Sequence, residues 1–276
     1  MPENSSESFG PMFTIEPLQT PHTHTAILLH GRGSNGEEFA RELFGETLSP
    51  DHSSLLLRLP NWRWVFPSSR GLWSATFQEY MPAWFEAHSL TDTTARQDLQ
   101  TPGIEDSVSY LMSILNGEVV KVGGDFKKIV LGGISQGAAV GMWTLLCINP
   151  PTLGAFFGTS TWLPLASDIK DYFSSEASSN TDDASVFVDG MLAQLKLALN
   201  KSNERPLLTP VFLGHGTDDA YVDVKLGREA RDVLTQIGFT VLWKEYQGAE
   251  QEGHWIKEPE EVDDLVAFLL SHVQNS

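Results

Sequence analysis

Gly133-Ile134-Ser135-Gln136-Gly137 is the stretch of this chain whose residue types could carry out nucleophilic chemistry. The apolar run Ile129-Val130-Leu131 enters it and a run of small and apolar residues leaves it. Ser135 therefore falls on an expected strand-to-helix turn that would lift its hydroxyl clear of the backbone. The flanking glycines suit such a turn, because neighbours without Cβ atoms leave room for strained backbone.

A serine hydroxyl is a poor nucleophile near neutral pH. It needs a base to take its proton and an acid to hold that base in one tautomer. Asp218-Asp219 follow the strand-like run Val211-Phe212-Leu213, and Gly253-His254 precede the last helical segment. Side chains alternate in direction along extended chain, so Asp218 and Asp219 cannot both face one histidine. Asp223 is a further carboxylate nearby, and His30 and His215, each beside a glycine at a strand end, are alternative bases whose plainer reading is loop shaping. The charge that develops on an attacked carbonyl oxygen calls for two preorganised N–H donors. The amide of Gln136, at an expected helix N-terminus, is one. The loop His30-Gly31-Arg32-Gly33 is expected to supply the other from the Arg32 amide.

These groups have to be carried by strand ends. Thr25–Leu29, Trp62–Phe66, Ile129–Leu131, Leu153–Phe157, Val211–Leu213 and Thr240–Tyr246 read as strands, with helical spacing over 37–44, 104–115, 228–237 and 260–273. Strands alternating with helices predict one α/β domain over 1–276 with a mostly parallel central sheet and helices on both faces. Residues 1–12 read as flexible by composition. The stretch Trp73–Phe85 is aromatic and shows no regular pattern; it either covers the core or lines a groove for an apolar substrate. The segment 171–205 is a polar linker followed by an amphipathic helix, an insertion that either decorates the surface or acts as a lid.

The chain has 276 residues, 41% of them hydrophobic, and carries a net charge of -18. That charge repels phosphate backbones and anionic lipid surfaces, so nucleic acid is not an expected partner. No run is long and apolar enough to insert stably in a membrane, and the start has no signal-peptide pattern. A cytoplasmic location is the expectation, in keeping with one cysteine, Cys147, in an apolar run. His22-x-His24 has no carboxylate or cysteine at a ligand spacing, so neither a metal nor another cofactor is expected.

Taken together, His30-Gly31-x-Gly33, Met81-Pro82-x-Trp84-Phe85, Gly133-x-Ser135-Gln136-Gly137, Trp162-Leu163-Pro164, His215-Gly216-x-x-Asp219-x-x-Val222 and Gly253-His254 resemble the acyl-protein thioesterase / phospholipase-carboxylesterase family of α/β-hydrolases. The resemblance spans about residues 24–270, with the blocks in the family's order. It implies Ser135 as nucleophile, Asp219 rather than Asp218 as acid, His254 as base, and the amides of Arg32 and Gln136 as the oxyanion hole. It also implies that Met81, Trp84, Phe85 and Trp162 border an acyl channel. The expected activity is cleavage of acyl thioesters or esters of an acylated protein or lipid, as in S-depalmitoylation. Small-molecule carboxylesterase or lysophospholipase activity, and a non-catalytic ligand-binding hydrolase fold, are the alternatives. The sequence departs from the family at Arg32, usually leucine, at Thr217, usually aspartate, and in the length of 171–205.

Overall fold

The computed structural model describes residues 8–45, 47–49, 51–74, 78–89, 92, 95–148, 151–174, 182–201 and 209–273. The strands are β1 (Phe13–Ile15), β2 (His24–Leu29), β3 (Trp62–Phe66), β4 (Arg70–Ser74), β5 (Glu79–Ala83), β6 (Ile129–Ile134), β7 (Ala155–Thr159), β8 (Val211–Gly216) and β9 (Val241–Tyr246). The helices are α1 (Gly36–Gly45), α2 (Leu55–Arg58), α3 (Gln97–Lys121), α4 (Ser135–Ile148), α5 (Ala166–Phe173), α6 (Asp183–Lys201), α7 (Val224–Ile237) and α8 (Glu260–Val273).

Seven strands make one sheet in the order β1-β3-β2-β6-β7-β8-β9. β1 runs antiparallel to β3 and every other pairing in that sheet is parallel. A parallel sheet hides both faces, which is why β2, β3, β6, β7 and β8 are buried along their whole length. Alternation sorts their side chains into two cores. Ile27, Leu29, Leu131, Phe156 and Leu213 face α3, α4 and α7, while Leu28, Val130, Phe157 and Phe212 face α1 and α8. Each fully buried side chain of this size contributes roughly 1.5–3 kcal/mol. The expected α/β architecture with helices on both faces is thus the observed one.

Three local expectations are corrected. The first part of the 73–85 stretch belongs to an antiparallel pair, β4 with β5, whose cross-strand pairs Leu72–Met81 and Trp73–Tyr80 supply the regularity that the mixed composition hid. Residues 8–12, read as flexible, are held: Phe9 stacks on Tyr110 at 3.9 Å, and Gly10 N donates to Ser69 O. The helix expected over 104–115 extends from 97 to 121, through Pro102. The amphipathic helix in the insertion is α6, which buries Val188, Leu192 and Leu195 and sets Phe187 against Trp143 of α4 at 5.2 Å. Most of the polar linker before it, 175–181, lies outside the described residues. Among the described residues, no helix is long and apolar enough to cross a membrane.

Candidate active site

Ser135 is the first residue of α4, directly after β6, and its φ of 53° lies in the left-handed region. A β strand that reverses into a helix in one residue needs that torsion. The turn is packed against the end of β2: a Cβ on Gly133 would stand 2.5 Å from Leu29 O, and one on Gly137 would overlap the carbonyl oxygens of Leu29 and His30. Both motif glycines are therefore required by close backbone approach. On the other side, Thr161 Oγ1 donates to Ser135 O at 2.8 Å.

The expected acid and base lie beyond the ends of β8 and β9. Asp219 follows β8, and its side chain is fully buried. Its Oδ1 accepts from the amides of Tyr221 and Val222 at 2.9 Å each. Its Oδ2 is 2.8 Å from His254 Nδ1 and 3.4 Å from His215 Nε2. Burial alone would raise this carboxyl's pKa, but the hydrogen bonds from His215 and His254 outweigh it and hold the group well below the usual carboxylate range. A carboxylate only accepts, so Nδ1 of His254 carries the proton and Nε2 is left as the basic nitrogen. Asp218 points elsewhere, its carboxylate accepting from Gly248 N at 2.9 Å. The loops bearing Asp219 and His254 are fitted to each other. Ala220 N donates to Glu252 O, and Gly253, at φ +82°, passes so near that a Cβ there would stand 2.7 Å from Asp218 O.

His215 is the loop-shaping residue of the sequence reading rather than a base. It is fully buried, with Nε2 2.9 Å from Val222 O, and a carbonyl can only accept, so Nε2 is a donor. His30 is also buried, its pKa lowered to about 4 by desolvation, and Ser69 N donates to its Nε2. His215 is tied to the loop after β8, and His30 to the segment that follows β3.

Of the two expected oxyanion donors, Gln136 directly follows Ser135 and Arg32 directly follows Gly31, which abuts the serine. Gln136 is at the N-terminus of α4, where amides have no partner within the helix. Its side chain is locked, with Oε1 accepting from Trp84 N at 3.0 Å and Nε2 donating to Phe85 O at 2.7 Å. Gly31 lies beside Ser135: a Cβ on it would be 4.0 Å from Ser135 Oγ. The four expected channel residues are divided. Trp84 and Phe85 are wholly buried in the core, and Trp162, 3% exposed, packs edge-on against Phe85 at 6.1 Å. Met81 is half-buried on the hairpin, whose exposed aromatics are Trp73 and Tyr80, in T-shaped contact at 5.3 Å.

Sequence reasoning missed the Tyr221 ring, half-exposed and 5.3 Å from the His254 ring. It also missed the clamp that Gln136 makes on 84–85. An aromatic two residues after the acid is a visible signal for the first, whereas a glutamine's partners across 50 residues leave none. Cys147, part-buried at the end of α4, has its thiol pushed up to about 12 by desolvation, which disfavours the thiolate.

A carboxylate–histidine pair beyond the ends of β8 and β9, and a serine at a glycine-flanked strand-to-helix turn of the same mostly parallel sheet, are the features of the α/β-hydrolase class. Comparison narrows it. The family model for phospholipase/carboxylesterase matches residues 11–188, and the chain belongs to that family. Acyl-protein thioesterase 1 of Yarrowia lipolytica is 28% identical, over 94% of this chain and 96% of its own. That of Gibberella zeae is 27% identical, over 96% of each. The crystal structure of Zea mays acyl-protein thioesterase 2 superposes with a TM-score of 0.67 at 26% identity, covering 96% of this chain and 99% of its own.

Proposed function

We propose that this chain hydrolyses acyl thioesters and esters through an acyl-Ser135 intermediate, with S-acylated protein as the substrate class. The observation that carries the reading is the 2.8 Å contact between buried Asp219 and His254 Nδ1, which leaves Nε2 free to accept a proton. His254 Nε2 takes the Ser135 proton as Oγ attacks the acyl carbonyl carbon. The resulting oxyanion accepts from the Gln136 and Arg32 amides. Collapse breaks the carbonyl bond to the leaving sulfur or oxygen, which takes the proton from His254, and water then repeats the cycle on the acyl-enzyme. The thioester preference is supported by the relatives' names and near end-to-end coverage.

The test is a fluorophosphonate probe together with a panel of S-acylated peptide, lysolipid and short aryl ester, run in parallel on Ser135→Ala. The expected result is labelling of Ser135 and turnover of the thioester, both absent from the variant. Turnover by Ser135→Ala near the parent rate would refute the assignment.

A further inference from the structure

Arg32 supplies one of the proposed oxyanion amides, and its side chain also ties its own loop to the β4–β5 hairpin. Nη1 donates to Ala87 O at 3.1 Å and Nη2 to Ser74 Oγ at 2.9 Å. Ser74 ends β4 and Ala87 lies in the segment that follows β5, both buried, so one guanidinium ties the loop to the end of β4 and to the chain leaving the hairpin. Two further bonds join the same partners: Gly33 N donates to Pro82 O at 2.8 Å, and Trp84 Nε1 donates to His30 O at 2.9 Å. The other side of the loop is Gly31 against Ser135. A guanidinium is a planar fork of fixed donors, so holding it at two points also fixes the orientation of the residue that bears it.

We propose that the Arg32 side chain is a positioning residue: by bracing its loop on the β4–β5 hairpin it aims its own main-chain amide at the developing oxyanion. This rests on the acyl-transfer reading above. Losing an oxyanion donor outright costs about 10²–10³ in rate, and a donor that is present but loosely aimed forfeits part of that, about tenfold. The loss falls on kcat because the bond strengthens only as charge develops.

The experiment compares Arg32→Met, which keeps the chain length without a donor, with Ser74→Ala and the double variant. The readouts are kcat and KM on an S-acyl thioester, thermal midpoint, fluorophosphonate labelling and amide hydrogen exchange at 31–33. Arg32→Met should lower kcat about tenfold with KM changed less than about twofold, and exchange at Arg32 and Gly33 should quicken. Ser74→Ala should do the same more weakly, and the double variant should be no worse than Arg32→Met, since Ser74 acts through Arg32. A folded Arg32→Met with parental kcat and exchange, or effects that multiply in the double variant, would overturn the proposal. Should Arg32→Met fail to fold, Ser74→Ala decides: parental kcat and exchange reject the brace. A parent protein that neither turns over nor labels at Ser135 sinks the acyl-transfer reading instead, and the exchange data still judge the brace.

Discussion

Replacing Asp219 by asparagine is the sharpest test of the site, because the geometry dictates how the new amide must sit. Oδ1 of Asp219 takes two backbone N–H donors, from Tyr221 and Val222. Only the asparagine carbonyl can stay there, so its NH₂ group faces His254 Nδ1 in the place of the carboxylate oxygen. A donor in that place makes Nδ1 the acceptor and moves the ring proton to Nε2, where Ser135 needs an acceptor. A buried triad aspartate changed in this way elsewhere lowers kcat about 10⁴-fold, or about 5 kcal/mol of barrier. The same NH₂ also meets His215 Nε2, itself a donor to Val222 O, which subtracts about 1–3 kcal/mol of stability for an unmade buried bond. Asp218→Asn is the control: its partner is Gly248 N, which an amide carbonyl accepts equally well, so kcat should stay within about threefold. The assay is steady-state thioester hydrolysis normalised to fluorophosphonate-titratable sites. Asp219→Asn within tenfold of the parent, or Asp218→Asn equally impaired, would refute the reasoning.

Two further outcomes follow from packing and charge. Gly137→Ala puts a methyl group into the carbonyl oxygens of Leu29 and His30; backbone cannot yield as a side chain does, so a loss of about 3 kcal/mol or more is expected in denaturant titration, together with lost turnover. Glu261, wholly buried with Thr159 Oγ1 and Lys257 N as donors, has its pKa raised by desolvation from 4.5 to about 7, with Asp264 adding to the rise. Between those values the folded state keeps a proton that the unfolded state has lost, so stability falls by up to about 3 kcal/mol as pH rises through the window. Glu261→Gln should flatten urea midpoints measured at pH 5 and pH 8; an unchanged slope would remove Glu261 as its source.

What the sequence disclosed divides along a physical line. The buried parallel strands announced themselves because both faces are apolar, so a run such as Ile129 to Leu131 has no other plausible home. Gly133 and Gly137 flagged the serine turn because each abuts backbone that tolerates no Cβ. The hairpin at 70–83 stayed hidden because its strands are partly exposed and carry Gly71 and Pro82 in place of a clean alternation. Among the two aspartates, direction along the chain could say only that one faced away; the contact to His254 Nδ1 separates them. Trp84 and Phe85 look, in sequence, like any apolar lining, and their complete burial depends on α3 and α4 closing over them.

The left-handed torsion of Ser135 sets fitness for the reaction against fitness for the fold. Any residue with a Cβ is strained there by about 1–3 kcal/mol, and glycine alone is free of it. The conformation of the proposed nucleophile is thus one that selection for robustness alone would relieve by deleting the side chain. A serine retained at +53° marks a position where the most stable sequence and the reactive sequence are different sequences.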